Sequence, residues 1–393
     1  MNWDDVNTPA AQQLAYDSAV AGAVLIKNDG ILPLGTDTTE KYALIGPYGS
    51  ATDKLQSNYY GQAPFLISPL QAAENLHLSV DYVLGSGISS AENTTAAIEA
   101  ANSADVILFM GGIDNSLEAE ELDRDNISWP VAQLDLLRQL TALEKPTVVV
   151  HFGCGQIDDS ELLANSSVNA VLWAGYPGQA GGAEVFDILT GRAAPAGRLP
   201  ITQYPASYSD AVPLTDMKTR PTSGNSNLGR THVWYTEQPV VPFGHGLHYT
   251  SFSVSISNQT VASYSIESLV FQGSDWIQNL ASVVLTIPII VSNTGTVESV
   301  YVAMLFLNTT VGPAPHPHKT LASYKRVHNI ATGGTTQVAL PVRLESLTRV
   351  GLDGGRTLYP GEDQFFVDID KKGSFEIVLT GAETVVEVFP QPS

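Results

Sequence analysis

Acidic side chains are concentrated in residues 114–130, the part of the chain best suited to proton transfer. Three glutamates lie there among three aspartates and one arginine: Glu118, Glu120 and Glu121. Carboxylates this close together disfavour each other's ionisation, so one of them is expected to stay protonated near neutral pH. A carboxyl that is protonated at neutral pH can act as a general acid. A solvated acidic loop that leads into a helix is the alternative that the residue types leave open.

The elements around this segment predict where it lies in the fold. The apolar residues 105–112, which end in two glycines, are typical of a buried parallel strand. Further strands are predicted at 42–47, 80–84, 147–152 and 168–173, with helices at 91–101, 129–143 and 183–189 between them. Strands that alternate with helices indicate a parallel-sheet α/β layer sandwich. Ligands of such sheets bind beyond the carboxyl ends of the strands, which is where residues 114–130 follow.

The amino-terminal segment predicts a helix. Thr8 is a good N-cap and Pro9 suits the first turn. Apolar residues then continue to Ile26, and residues 27–30 are expected to end the helix. Lys27 would then lie in the last turn, where a cation is stabilised by the helix dipole.

The second half of the chain follows a different pattern. Residues 204–248 are rich in proline, serine and glycine and predict a long irregular connector. Beyond Tyr249 the apolar residues alternate, near 252–256, 283–291, 300–307, 337–342 and 375–379, which indicates a β-sandwich. The predicted division is therefore an α/β domain at 1–203, the connector at 204–248 and an all-β domain at 249–393.

Composition excludes several classes of protein. The 393 residues carry a net charge of −21, and only 15% are charged. This acidity argues against binding to nucleic acid or to anionic membranes, both of which attract clustered lysine and arginine. No apolar stretch is long enough to span a bilayer, and the first residues carry no signal peptide pattern. A single cysteine, Cys154, excludes an internal disulfide and is expected to be a small buried residue.

Several short motifs, in order along the whole chain, carry a family resemblance. They are residues 23–30 (AVLIKNDG), 32–34 (LPL), 45–47 (IGP), 58–61 (NYYG), 68–70 (SPL), 118–130, 173–179 (WAGYPGQ), 191–192 with 195–200 (PAGRLP), 242–244 (PFG) and 359–361 (YPG). The chain resembles the carboxy-terminal portion of glycoside hydrolase family 3 and is most similar to fungal β-xylosidases. The resemblance implies that residues 249–393 form a fibronectin type III-like domain. It also implies an amino-terminal barrel domain that is absent from this chain.

The resemblance assigns the site residues. It implies that Glu118 is the catalytic acid/base and that Tyr59 and Tyr60 contact the sugar, although Glu120 and Glu121 remain alternatives for the acid/base on sequence alone. The family's nucleophile is an aspartate in a Ser-Asp-Trp motif on the barrel, and retaining glycosidases place their two carboxyls about 5–5.5 Å apart. Ser-Asp-Trp does occur at 274–276. Because it lies in the predicted β-sandwich, we interpret it as a coincidence.

The resulting functional prediction is one part of a retaining exo-acting β-xylosidase. Its substrates would be xylo-oligosaccharides or aryl β-xylosides, with no cofactor and no metal, and its partner would be the barrel domain. β-Glucosidase specificity, a non-catalytic carbohydrate-binding or assembly partner, and a decayed homologue are the alternatives. Secretion is implied by the resemblance, and five glycosylation sequons agree weakly with it, at Asn93, Asn126, Asn165, Asn258 and Asn308.

Other patterns predict no further chemistry. The glycine-rich residues 175–182 match neither a P-loop nor a dinucleotide fingerprint, so they predict a tight strand-to-helix turn. Two histidine pairs have the spacing of metal ligands, His245 with His248 and His316 with His318. No acidic helix accompanies them, so packed or solvated histidines are expected. There is no Gly-x-Ser-x-Gly elbow of an α/β-hydrolase.

Overall fold

The computed structural model describes residues 2–35, 39–222, 224, 227–257, 261–270 and 279–389. The chain forms two compact units. The first comprises residues 1–215 and 239–249, and the second comprises 216–238 and 250–393. The segment predicted as a connector is therefore shared between the two units, since its middle part belongs to the second and its two ends to the first.

The first unit alternates helices with strands. Its strands are β1 (Val24–Asn28), β2 (Lys41–Ile45), β3 (Ser79–Val83), β4 (Val106–Gly112), β5 (Thr147–Phe152) and β6 (Val168–Gly175). Its helices are α1 (Trp3–Val6), α2 (Pro9–Gly22), α3 (Pro69–Asn75), α4 (Thr94–Ser103), α5 (Val131–Thr141), α6 (Ser160–Ala164), α7 (Gly181–Leu189) and α8 (Ser207–Ala211). A 3-10 helix spans Asp53–Gln56.

The described strands of this unit form one sheet in the order β1-β6-β5-β4-β2-β3. All neighbours are parallel except β1, which runs antiparallel to β6 at the edge. The sheet is apolar on both faces: in β4, Leu108 belongs to the core on one side and Phe109 to the core on the other. Burial on two faces explains the continuous apolar runs in the sequence and confirms the predicted α/β layer architecture.

The antiparallel edge strand corrects the prediction at the amino terminus. Thr8 does cap α2, with its Oγ1 accepting from the Ala11 N–H at 3.0 Å, but the helix ends at Gly22 rather than at Ile26. Val24–Asn28 forms β1, and its first three residues are buried. A short apolar run with β-branched residues can be a strand or a buried helical segment, and periodicity alone does not separate the two.

Lys27 keeps a role at a helix end, but at a different helix. Its Nζ lies 2.8 Å from the carbonyl oxygen of Asn165 and 3.2 Å from that of Leu163. These carbonyls belong to the end of α6, where a cation offsets the helix dipole. The edge strand therefore fastens α6 to the sheet, and burial lowers the pKa of Lys27 below its ordinary value.

The second unit contains mostly antiparallel strands. They are β7 (Phe252–Ile256), β8 (Ala262–Ser265), β9 (Val283–Asn293), β10 (Ser299–Thr309), β11 (Thr320–Ile330), β12 (Thr335–Arg343), β13 (Thr348–Val350), β14 (Arg356–Leu358), β15 (Gly361–Val367), β16 (Ser374–Thr380) and β17 (Thr384–Glu387). Its short helices are α9 (Thr231–Trp234) and α10 (Ile266–Leu269), with a 3-10 turn at Leu344–Leu347.

The described strands of the second unit form three sheets. Their orders are β11-β10-β15-β16-β8, β12-β9-β7 and β13-β14-β17. Inward residues such as Val291, Leu305 and Phe365 share one buried core. The five segments predicted from alternation are all strands, and the all-β class is confirmed, whereas the fibronectin type III-like assignment stays a prediction. Ser274-Asp275-Trp276 and Asn258 lie outside the described residues.

Glu184 is a buried carboxyl in α7 that should make stability depend on pH. It is 3% exposed, and among the described residues its Oε2 has no hydrogen-bond partner. Burial, helped by the nearby Asp187, raises its pKa from 4.5 to about 8. The folded state therefore keeps a proton that the unfolded state releases above about pH 4.5, so this group's stabilisation is full below pH 4.5 and is lost as pH rises towards 8.

We expect Glu184→Gln to remove this dependence. Between about pH 5 and 8.5 the free energy of unfolding of the natural chain should fall by a few kcal/mol relative to the variant. Denaturant unfolding at both pH values measures the difference. Glu74→Gln, at an exposed position of α3, is the control and should follow the natural chain. Parallel pH profiles for the natural chain and Glu184→Gln would contradict the prediction.

Candidate functional site

The site begins where β4 ends. Gly112 has a φ of +135°, and a Cβ there would lie 1.9 Å from the Phe152 carbonyl oxygen, so only glycine fits between β4 and β5. Gln133 of α5 is fully buried and both accepts from the Gly112 N–H at 2.8 Å and donates to the Gly112 carbonyl at 2.7 Å. The strand end and α5 are thus joined, and the acidic loop between them starts and finishes at fixed points.

A tight turn follows at Asp114. The backbone N–H groups of Leu117 and Glu118 donate to its carbonyl oxygen at 2.9 and 3.1 Å. The Asp114 side chain is 8% exposed and lies 2.6 Å from Lys54 Nζ. Burial opposes its ionisation, but hydrogen bonds from Lys54 and Ser116 outweigh it and hold the Asp114 pKa below its ordinary value. Asp114 is therefore an ionised structural anchor for the turn.

Glu118 is held by groups from three other parts of the chain. Its Oε1 accepts from the Gly155 N–H and from the Tyr176 hydroxyl, both at 3.0 Å. Its Oε2 lies 3.6 Å from Arg124 Nη2. The side chain is 19% exposed, so the carboxyl is held in place and still reaches the surface. This arrangement can present one carboxyl oxygen to a bound molecule in a defined position.

Arg124 corrects one prediction about the loop. On sequence alone, the adjacent Asp123 and Arg124 are predicted to form a pair that stabilises the loop. In the structure, Arg124 instead faces Glu118 and donates to the Gln156 carbonyl at 2.7 Å. Partial burial lowers the pKa of Arg124, and the neighbouring Glu118 carboxylate opposes that shift. Sequence adjacency was a poor guide because neighbouring side chains in an extended loop point in different directions.

Glu120 and Glu121 occupy a different environment from Glu118. Ala119 and Leu122 are paired through their backbones, with the Leu122 N–H donating to the Ala119 carbonyl at 3.0 Å, so the two glutamates form the tip of a turn. Both are exposed, and Glu121 has a φ of +65°. Glu120 accepts from the Tyr59 hydroxyl at 2.5 Å.

The two predicted sugar-contacting tyrosines are exposed. Tyr59 is 77% exposed and Tyr60 is 52% exposed. The hydrogen bond from Tyr59 to Glu120 places Tyr59 beside the acidic loop. Tyr60 lines a cavity of about 460 Å³ together with Gln62 and Gln179. Exposed aromatic faces beside hydrogen-bonding groups suit pyranose rings.

A buried polar cluster lies behind the loop and was missed by the sequence reasoning. Asp159 is fully buried and accepts from Trp129 Nε1 at 2.8 Å and from Gln203 Nε2 at 2.7 Å. His151 at the end of β5 places its Nδ1 3.5 Å from Asp159 Oδ2. Burial opposes ionisation of Asp159, yet these partners hold its pKa below its ordinary value. The cluster fixes the start of α5 relative to β5. No short sequence motif predicts it, because its members are far apart in sequence.

Cys154 is exposed, which corrects the expectation of a buried residue. It follows Gly153, whose φ of +107° turns the chain out of the sheet at the end of β5. Cys154 therefore lies in the loop after β5, and the N–H of the next residue, Gly155, donates to Glu118. Desolvation of the sulfur, with a further contribution from the Glu118 charge, raises the pKa of the thiol.

The cysteine provides a labelling test of the site's geometry. Removing the Glu118 charge should lower the thiol pKa and increase the reactive thiolate fraction. We expect Glu118→Gln to react with iodoacetamide about two- to threefold faster than the natural chain near pH 8. Only one cysteine is present, so adduct mass against time gives the rate directly. Glu120→Gln is the matched control and should react at the natural rate; equal rates for both variants would contradict the geometry.

Three of the four histidines in the two predicted pairs lie next to backbone carbonyl oxygens. His245 Nε2 lies 2.8 Å from the Ile26 carbonyl, His248 Nδ1 lies 3.1 Å from that of Pro195, and His316 Nε2 lies 2.9 Å from that of Gly312. Within the described ranges, no group of three or more histidine, cysteine or acidic side chains is close enough to hold a metal ion. In the same part of the chain, no helix has the length and apolarity needed to cross a membrane.

Comparison with known proteins identifies the class. Residues 23–249 match the model of the glycosyl hydrolase family 3 C-terminal domain. The match covers more than half of the chain, and the region includes every residue that positions Glu118. The chain therefore belongs to glycoside hydrolase family 3, as a carboxy-terminal portion.

Individual relatives show which members of the family this chain is similar to. A probable exo-1,4-β-xylosidase of Aspergillus terreus is 48% identical over 400 residues, covering 100% of this chain and 50% of the relative. One from Aspergillus fumigatus is 45% identical, covering 99% and 50%. A solved family 3 exo-β-xylosidase, in complex with a xylobiose aziridine activity-based probe, has a TM-score of 0.94 and 42% identity, covering 99% of this chain and 51% of that one.

A more distant structure shares the fold alone. The β-glucosidase of Listeria innocua has a TM-score of 0.79 at 22% identity and covers 96% of this chain and 51% of its own. The chain thus spans about half the length of each of these relatives.

Proposed function

We propose that this chain supplies the acid/base carboxyl of a retaining exo-β-xylosidase, with Glu118 in that role. The nucleophile would come from an amino-terminal barrel domain of the kind found in the family. Glu118 would give its proton to the glycosidic oxygen as the bond to xylose breaks. The resulting carboxylate would then take a proton from the water that releases xylose from the nucleophile.

The observation that carries this proposal is the contrast among the three glutamates. Glu118 accepts from both a backbone N–H and a tyrosine hydroxyl and faces an arginine, whereas Glu120 accepts from the exposed Tyr59. Glu120 and Glu121 are exposed at the tip of a turn. A catalytic acid must be held in a productive position, since misplacement by about 1 Å costs about 10²-fold in rate.

Xylosides are the proposed substrate class because the relatives at 45–48% identity are described as exo-1,4-β-xylosidases. Tyr59 and Tyr60 would contact the sugar, and neither cofactor nor metal is required by this chemistry. Secretion, as proposed from the fungal relatives, is compatible with the net charge of −21.

The test is a fusion of this chain behind the amino-terminal half of a fungal family 3 xylosidase, in place of that enzyme's own carboxy-terminal half. We expect hydrolysis of xylobiose and of an aryl β-xyloside by the fusion. The isolated chain should give no hydrolysis above the buffer blank, because one carboxyl cannot serve as both nucleophile and acid.

Two controls make the result decisive. The intact donor enzyme shows that the assay works, and thermal unfolding of the fusion shows that both halves are folded. A folded but inactive fusion would contradict the proposed role of this chain. Hydrolysis by the isolated chain would contradict the assignment of the nucleophile to another domain, and equal rates on aryl β-glucoside would contradict the xylose preference.

A further inference from the structure

The second unit contains a cavity unrelated to Glu118. Its volume is about 440 Å³, within the range of small-molecule sites. The wall comes from four regions of this unit: the ends of β10 and β11, the β13–β14 hairpin, the 3-10 turn before it, and the segment that includes α9. The cavity is therefore built from elements distant in sequence.

Three arginines, Arg220, Arg349 and Arg356, meet in the wall of this cavity. Arg356 is neutralised, since its Nε lies 2.9 Å from Glu387 Oε2. Arg220 Nη2 instead donates to the Val350 carbonyl at 2.8 Å. Arg349 donates to three backbone carbonyls, through Nη1 at 2.8 Å and through Nη2 at 3.0 and 3.2 Å. The carbonyls orient the two guanidinium groups without cancelling their charge.

Arg220 and Arg349 carry positive charge in the wall, although the buried Asp363 carboxyl attracts Arg349 and Glu345 also lines the cavity. Within the described residues, no carboxylate forms an ion pair with either side chain. Desolvation, followed by repulsion from Arg220, lowers the pKa of Arg349, and attraction to Asp363 opposes this shift, so the two cations lie within electrostatic reach of each other. In a chain of net charge −21, such a pair of cations in a concave wall favours an anion.

The remaining wall is suited to a sugar ring rather than to a small inorganic ion. Trp234 lines the cavity, and the Arg220 guanidinium lies 5.2 Å from its ring centroid. The hydroxyl-bearing residues Thr309, Ser346 and Thr348 also contribute to the wall. An aromatic face packs against the C–H face of a pyranose, and hydroxyls exchange hydrogen bonds with sugar hydroxyls.

We propose that this cavity binds a saccharide that carries a carboxylate, such as a uronic acid residue. The Arg220 and Arg349 guanidinium groups would bind the carboxylate, because guanidinium forms paired hydrogen bonds with it. Trp234 would pack against the ring. A neutral sugar would bring no negative charge to the two guanidinium groups, and long polyanions are repelled by the acidity of the chain. The proposal does not depend on the assignment of Glu118.

The experiment is calorimetric titration of the intact chain with glucuronate, xylose, glucose and sulfate. We expect glucuronate to bind with millimolar affinity and the neutral sugars and sulfate about tenfold more weakly or worse. Arg220→Gln should weaken glucuronate binding about tenfold by removing a charge-assisted bond. Arg349→Lys keeps the charge but removes the paired geometry, and should also weaken it.

Arg343→Gln is the matched control, since Arg343 also donates to a backbone carbonyl, that of Ala281, but lies outside the cavity. It should leave glucuronate binding unchanged, and thermal unfolding of each variant confirms that it is folded. Undetectable glucuronate binding, or equal affinity for xylose, would overturn the proposal. Sulfate binding as tight as glucuronate binding, with the same sensitivity to Arg220→Gln, would show a general anion site and overturn the sugar assignment.

Discussion

Replacing Glu118 with glutamine is expected to slow xylobiose hydrolysis by the fused enzyme about 10²- to 10⁴-fold, the usual contribution of general acid–base catalysis. Glutamine has the same shape, and its amide oxygen can still accept from the Gly155 N–H and the Tyr176 hydroxyl. The loss should therefore come from the missing proton and not from a rearranged loop.

The dependence on the leaving group makes this expectation specific. On a dinitrophenyl β-xyloside, the leaving group departs without needing a proton. The first step, which transfers xylose to the nucleophile, should therefore keep its rate in Glu118→Gln and give a burst of dinitrophenolate. The second step should remain slow, because no carboxylate removes the proton from water. Azide needs no deprotonation, so added azide should restore turnover and yield xylosyl azide.

The other two glutamates provide the controls. Glu120→Gln and Glu121→Gln should stay within about threefold of the natural rate and should show no azide effect. Both side chains are exposed at the tip of the turn and are not held in the position that Glu118 occupies. Azide rescue in either of these variants, with none in Glu118→Gln, would move the acid/base assignment to that residue.

The architecture could be predicted from sequence because burial produces a regular pattern of apolar residues along each element. The two-faced burial of β4 gives a continuous apolar run, and the one-sided burial of β7 gives alternation. Val24–Asn28 was misassigned for the same reason: its buried apolar residues fit a helix end as well as an edge strand, and only the pairing with β6 decides between them.

The surroundings of Glu118 could not be predicted in the same way. Tyr176 lies 58 residues from Glu118 in sequence and Gly155 lies 37 residues away, so their hydrogen bonds depend on how β4, β5 and β6 align in the sheet. Local reasoning paired Arg124 with its neighbour Asp123, although the fold brings it to Glu118. The family resemblance supplied Glu118 as the proposed acid/base, and the fold supplied the contacts of its side chain.

The position of Glu118 also depends on an empty space at residue 155. A Cβ at Gly155 would lie 1.6 Å from Glu118 Oε2 and 2.6 Å from Arg124 Nη2. The φ of Gly155 is outside the left-handed region, so alanine is compatible with the backbone there. Gly155→Ala should therefore leave the fold intact and push the carboxyl away, at a cost of about 10²-fold in kcat on xylobiose. Steady-state rates and thermal unfolding of the fused enzyme measure both effects.

A double variant separates displacement of Glu118 from general damage. If Gly155 acts only by leaving room for the carboxyl, then Gly155→Ala added to Glu118→Gln should cost little beyond Glu118→Gln alone, because the group that it displaces no longer transfers a proton. Gly22→Ala is the matched control, since nothing lies within 4 Å of a Cβ there, and it should keep full activity. Multiplicative losses in the double variant would show that the glycine serves something other than Glu118.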